Sequence, residues 1–141
     1  MISKKVEKAL NEQINAELYS AYIYLSMNSY FLSINLNGFA AWMRSQALEE
    51  MTHADKFYQY VNERGGRVIL MPVEGPPSTW VSPLSAFEDT YRHEQKVTAM
   101  INDLMDLAIK EKEKATRSML QGFGDEQVEE EATMSQLLLL A

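Results

Sequence analysis

The sequence contains no cysteine. That excludes disulfides, iron–sulfur clusters, thiolate zinc sites and cysteine nucleophiles. Only two histidines are present, His53 and His93, so a three-histidine zinc site is out of reach. Basic residues are outnumbered: 13 Lys and Arg stand against 20 Asp and Glu, a formal net charge of −7. Contacts to phosphate need a surplus of Lys and Arg, so no nucleic-acid partner is expected. Long apolar runs are missing too. Phe39–Met43 and Leu137–Ala141 are among the longest, far short of the ~20 residues of a membrane-spanning helix. The first seven residues lack the apolar stretch of a signal peptide. The expected location is therefore the cytoplasm, with no membrane partner. GxGxxG, phosphate-loop and GxSxG motifs are also absent.

What remains is ordinary for a globular chain: 141 residues, of which 46% are apolar and 23% charged. That length argues for one domain over 1–141. The few breakers cluster, with Gly65, Gly66, Pro72, Gly75, Pro76, Pro77 and Pro83 close together. Long helices around one irregular segment follow from that distribution. Apolar spacing predicts helices over about 4–32, 39–64, 83–111 and 113–140. Ser3 and Ser82 are expected N-caps, the latter followed by Pro83 at the first helical position. Gly65 stands where a left-handed C-cap is wanted. The third and fourth helices meet at Lys110–Lys114 without glycine or proline, so a continuous helix fits there equally well. Gly122 and Gly124 oppose the fourth helix by ~1 kcal/mol each relative to alanine.

The segment between the second and third helices spans residues 66–81. Extended, it reaches ~50 Å. A helix of about 26 residues is only ~39 Å long. The connection can thus travel the whole bundle and leave the second and third helices parallel. The fold class is all-α: a four-helix bundle, up-down-down-up, with one long crossover.

Each apolar stripe carries an acid: Glu17 on the first helix, Glu50 on the second, Glu94 on the third and Glu130 on the fourth. An ionised carboxylate does not enter a core unpaired, because desolvation costs too much. No Lys or Arg on these stripes neighbours the acids, whereas two divalent cations would balance four negative charges. His53 stands three residues after Glu50, and an i, i+3 pair points one way on a helix. Carboxylates from four helices with one imidazole match a di-metal site in a bundle core. Oxygen ligands with one nitrogen suit iron or manganese. Taken singly, each Glu is ordinarily a rim residue with its head in water. His93, one position off the stripe of Glu94, reads as a satisfied core or surface group. Of the run Glu129–Glu131 only Glu130 falls on the stripe, and the rest reads as a solvated face. Tyr24 lies on the stripe of Glu17.

These residues resemble the non-haem ferritins of bacteria and archaea. The resemblance rests on Val6–Glu17, Glu49–His53, Glu63–Gly66, Pro76–Pro77, His93–Glu94 and Glu126–Glu131. It implies a ferritin-like fold and a ferroxidase centre of two iron ions per subunit. One iron would be held by Glu17, Glu50 and His53. The other would use Glu50 as bridge, with Glu94, Glu130 and Gln127 nearby. A third iron site in some members maps onto Glu49, Glu126, Glu129 and Glu130, and Tyr24 matches the tyrosine beside the centre. The fourth-helix motif reads Gln127-Val-Glu-Glu130 where haem-containing bacterioferritins and rubrerythrins carry a second E-x-x-H. No haem is implied. Family members continue past Ala141 through more of the fourth helix and a short fifth one, so this chain is expected to be C-terminally shortened.

The activity the resemblance implies is oxidation of Fe(II) to Fe(III) with O2 or H2O2 and storage of the ferric mineral in a homo-oligomeric shell of 24 subunits. Two other readings of the residues stand beside it: a di-metal redox enzyme that retains its metals, as a peroxidase would, and a non-catalytic helical shell or scaffold subunit.

Overall fold

The computed structural model describes residues 1–140, which form four helices and no strand. These are α1 (Lys4–Ser33), α2 (Asn37–Glu63), α3 (Pro83–Lys110) and α4 (Lys114–Leu140). Ala141, the last residue of the terminal apolar run, lies outside the described residues. The expected caps are in place: the Ser3 side chain accepts from the Val6 amide, and that of Ser82 from the Ser85 amide. Gly65 has φ 77°, a left-handed conformation free of steric cost only in glycine.

α2 starts two residues before the expected Phe39. Asn35, with φ 60°, reverses the chain, and the Leu36 carbonyl already accepts from the Ala40 amide, so Asn37 and Gly38 fall in the first turn. α4 is continuous through Gly122 and Gly124.

α3 and α4 are separate helices. Lys112 breaks them in a left-handed turn at φ 57°. The Glu113 amide reaches back to the Ala108 carbonyl (2.8 Å), closing the turn that ends α3. A left-handed lysine costs ~1–2 kcal/mol. Glu113 supplies the compensation, since its carboxylate accepts from the Ser3 amide (2.8 Å) and from Arg64 Nη2 (2.8 Å). The turn is thus pinned to the starts and ends of two other helices.

Contacts give the directions. Between α1 and α3, Ser20 meets His93, Met27 meets Thr90 and Phe31 meets Phe87, so these helices are antiparallel. Between α2 and α4, Tyr60 meets Thr116, Phe57 meets Phe123 and His53 meets Glu126, again antiparallel. The short turn between α1 and α2 makes them antiparallel as well, with Asn28 bonded to the Ala40 carbonyl (2.6 Å). α2 and α3 therefore run parallel, as the long crossover allows. That crossover climbs α1. Asn11 binds Arg67 and Ile69, and Asn15 binds the carbonyls of Met71 and Pro72. At its end Trp80 Nε1 donates to Asp89 (2.7 Å).

The core is two apolar clusters. One holds Leu10, Phe57, Val61, Ile101 and Leu120, and the other Met27, Phe31, Met43, Ala47 and Phe87. Glu17, Glu50, His53, Glu94 and Gln127 are also buried but belong to neither cluster. Contacts run from Phe57–Phe123 through His53–Phe123 to Tyr24–Glu94, so this polar layer lies between the two.

Candidate metal centre

The layer is built by helical spacing. Gln13, Glu17, Ser20 and Tyr24 are successive inward positions of α1, and Gln46, Glu50 and His53 are those of α2. Glu17 is 1% exposed, Glu50 2%, His53 4% and Glu94 0%. Burial of four such groups in a space of this kind demands partners.

Part of the demand is met by protein. Gln13 Nε2 donates to Glu17 Oε1 (2.9 Å). The Tyr24 hydroxyl donates to Glu94 Oε1. Gln127 Nε2 lies 3.1 Å from Glu94 Oε2. Four buried oxygens receive no hydrogen bond: Gln46 Oε1, Glu126 Oε2 and, at the centre of the layer, Glu17 Oε2 and Glu50 Oε2. His53 Nδ1 faces the last two, at 3.9 Å and 3.4 Å. These three side chains offer ligand atoms all within 4.8 Å of one another. A second group, Glu49, His53 and Glu126, uses the other face of the imidazole. There His53 Nε2 lies 2.9 Å from Glu126 Oε2 and 4.0 Å from Glu49 Oε1.

The electrostatics agree with an unfilled demand for positive charge. Burial pushes the Glu17 carboxyl well above the carboxylate range, with Glu50 beside it adding to the effect. Burial, together with the facing charges of Glu94, Glu130 and Glu49, raises Glu50 to about 8, although the adjacent Glu17 carboxyl opposes the shift. Burial also raises Glu94, although Tyr24 and Gln127 oppose the shift. Glu130 rises to about 7, through burial and then the charges of Glu49 and Glu94. Orphaned oxygens and raised carboxyls admit two remedies: protons, or a hard cation. The donor set of carboxylates and one imidazole fits iron.

The ten expected site residues are not placed alike. Glu17, Glu50, His53, Glu49 and Glu126 form the two tight groups. Glu94 and Gln127 bond to each other beside them, with Tyr24 behind Glu94. Glu130 is half-buried and acts on Glu50 through its charge, outside both groups. Glu129 is exposed.

Glu131 corrects the reading of a solvated face: it is half-buried and accepts from Thr98 Oγ1 (2.6 Å). Thr98 is itself on the inward stripe, which was the available signal. Gln13 was also missed, although it stands one turn before Glu17. His93 bonds to Ser20 Oγ (2.6 Å), and burial lowers it to about 4, so it is neutral near pH 7.

The chain is similar to known proteins of one family. Residues 7–140 match the ferritin-like domain family. The chain is 46% identical over 133 residues to a bacterial non-heme ferritin of Bacteroides fragilis, covering 94% of this chain and 84% of that one. It is 44% identical over 132 residues to the counterpart from Campylobacter jejuni, covering 94% and 79%. Among solved structures it matches an open pore ferritin from the hyperthermophilic archaeon Archaeoglobus fulgidus with a TM-score of 0.97. The identity there is 56%, covering 98% of this chain and 85% of that one. A ferritin of Chlorobium tepidum matches at 0.95 with 39% identity, covering 98% and 84%.

Proposed function

The chain belongs to the ferritin family and is an iron-storage ferritin, and on that footing we propose that its polar layer is a ferroxidase centre handling two Fe(II) per subunit. Iron is here both cargo and reductant: each Fe(II) gives one electron to O2 or H2O2. The observation that carries the reading is the pair of buried, unpartnered oxygens, Glu17 Oε2 and Glu50 Oε2, facing His53 Nδ1.

In this reading Glu17, Glu50 and His53 hold one iron. Glu50 bridges to a second held with Glu94 and Glu130, with Gln127 beside them. Tyr24 and Gln127 hold Glu94 in one rotamer, and Gln13 does the same for Glu17. Cation binding displaces the protons that burial otherwise imposes on these acids. The apolar clusters on either side exclude bulk water, which strengthens the charge interaction. Glu49, Glu126, Glu129 and Glu130 form a third site, reached through the second face of His53. Exposed Glu129 suits a position toward solvent.

We also propose one domain over 1–141, a homo-oligomeric shell of 24 subunits, and a cytoplasmic location. Among the described residues no helix is long and apolar enough to cross a membrane. A shell is supported by an apolar depression on α1, α2 and the crossover, lined by Leu18, Met51, Ala54, Tyr58 and Leu70, that suits a second copy.

Anaerobic Fe(II) loading followed by an O2 pulse tests the reading, with iron per subunit and particle mass measured on one sample. Two Fe(II) bound per subunit, then loading far beyond two on a large particle, is expected. Iron that stays at two per subunit identifies a retained-metal enzyme. No specific binding identifies a scaffold.

A further inference from the structure

Gly122 and Gly124 lie in the middle of α4, where glycine costs helix stability. Nothing local requires them. Neither has positive φ, and a Cβ built on either meets no atom within 4 Å. Close packing therefore does not explain Gly122. Its surroundings do: it lines a groove of about 320 Å³ between α2 and α4, with Lys56, Gln59, Glu63, Phe123 and Glu126. At ~30 Å³ per water the groove holds roughly ten waters. Any large side chain at 122 would project into that space.

The groove ends on the metal centre through two shared residues. Phe123 stacks on Phe57 (4.3 Å) and meets the His53 ring edge-on (5.4 Å). Glu126 straddles the boundary. Its side chain is 41% exposed, yet its Oε2 is buried against His53 Nε2 and receives no hydrogen bond. Two acids, Glu63 and Glu126, line the groove against one ammonium, Lys56, which sits 5.8 Å from the Phe123 ring centre. The lining, which also includes Tyr60 and Met119, thus carries a net negative charge that attracts a cation.

We infer that the gap left by Gly122 is a port through which hydrated iron passes between Glu126 and the α2/α4 face. The inference rests on the ferroxidase reading and adds a transit role to a residue with no ligand atom. Glu126 takes iron from the His53 side, and the groove lets it leave with its water shell intact.

Plugging the groove from either wall tests this. Gly122→Trp fills it from α4, and Gln59→Trp fills it from α2. Gly122→Ala, which adds only a methyl, is the control. Each protein is given two Fe(II) per subunit under O2, then a second equal addition. Each is also preloaded with Zn²⁺, and release to a chelator is followed by absorbance. In both Trp variants the first oxidation should match the parent protein, while recovery for the second addition and Zn²⁺ release slow on the order of tenfold, as when transit limits turnover. Gly122→Ala should behave as the parent. Parental recovery and release in either folded Trp variant overturns the port. A parent protein that fails to oxidise the first addition overturns the ferroxidase reading instead, and the port with it.

Discussion

The Tyr24 hydroxyl donates its hydrogen bond to Glu94 Oε1 across the α1–α3 interface, and both residues are completely buried. Gln127 holds the other oxygen from α4 (3.1 Å). Glu94 is therefore oriented before any cation arrives. Tyr24→Phe should retain two Fe(II) per subunit in anaerobic titration. Oxidation should slow by about tenfold, the equivalent of one hydrogen bond of ~1.4 kcal/mol. Stopped-flow absorbance after an O2 pulse measures it.

Glu50 has an orphaned oxygen and faces four other acids, Glu17, Glu49, Glu94 and Glu130. Glu50→Ala should abolish Fe(II) oxidation and lower iron binding below two per subunit. Glu50→Gln keeps the shape but removes the charge. It should also lose oxidation, yet raise the melting temperature of the metal-free protein at pH 8. Calorimetry with and without metal separates the two effects.

The raised carboxyls set the pH response of the metal-free protein. An acid whose folded pKa lies above its unfolded value binds more protons when folded. Its contribution is complete below the unfolded pKa and is lost as pH rises toward the folded one. For Glu50 that window runs from 4.5 to about 8, and for Glu130 from 4.5 to about 7. Metal-free protein should therefore melt at lower temperature at pH 8 than at pH 5.5. Saturating Zn²⁺ should reverse that order, because cations favour the ionised form.

Glu113 responds in the opposite sense. Burial pushes its carboxyl up, but Arg64 and the Ser3 amide outweigh burial and leave it below the ordinary range. That stabilisation is present above the unfolded pKa and is lost as pH falls through the folded one. Glu113→Gln should cost ~2 kcal/mol at pH 7, as for a hydrogen-bonded charge pair. The deficit should shrink at pH 3. Urea titration at the two pH values gives both numbers.

Gly124 meets nothing within 4 Å of a built Cβ. Gly124→Ala should stabilise α4 by ~0.5–1 kcal/mol, raising the melting temperature by about 2–4 °C. Initial Fe(II) oxidation should be unchanged.

Much of this was legible residue by residue. The caps at Ser3, Ser82 and Gly65 are local chemistry, decided by hydroxyls, proline and glycine within a few residues. The inward placement of Glu17, Glu50 and His53 follows from helical period, because a stripe that buries Leu10 and Tyr24 on α1, or Met43 and Phe57 on α2, must bury what lies between them. Glu131 escaped because period alone assigns it to the outer face, and only the neighbouring Thr98 draws it in. Glu130 carried the right stripe, but its half-burial depends on how α4 leans against α3.

Composition and periodicity by themselves determined an all-α chain, a long crossover, and acids on the inward stripes, because these depend on spacing along one helix at a time. Where α3 ends was decided only by tertiary structure. Lys110–Lys114 contains no breaker, and the left-handed turn at Lys112 exists because Glu113 binds Ser3 and Arg64, residues 110 and 49 positions away. The choice of which oxygens remain unpartnered is likewise tertiary. Gln13, Tyr24 and Gln127 satisfy some carboxylate lone pairs and leave Glu17 Oε2 and Glu50 Oε2 facing His53. Hydrogen bonds depend on distance and angle between separate helices, and helical spacing carries neither.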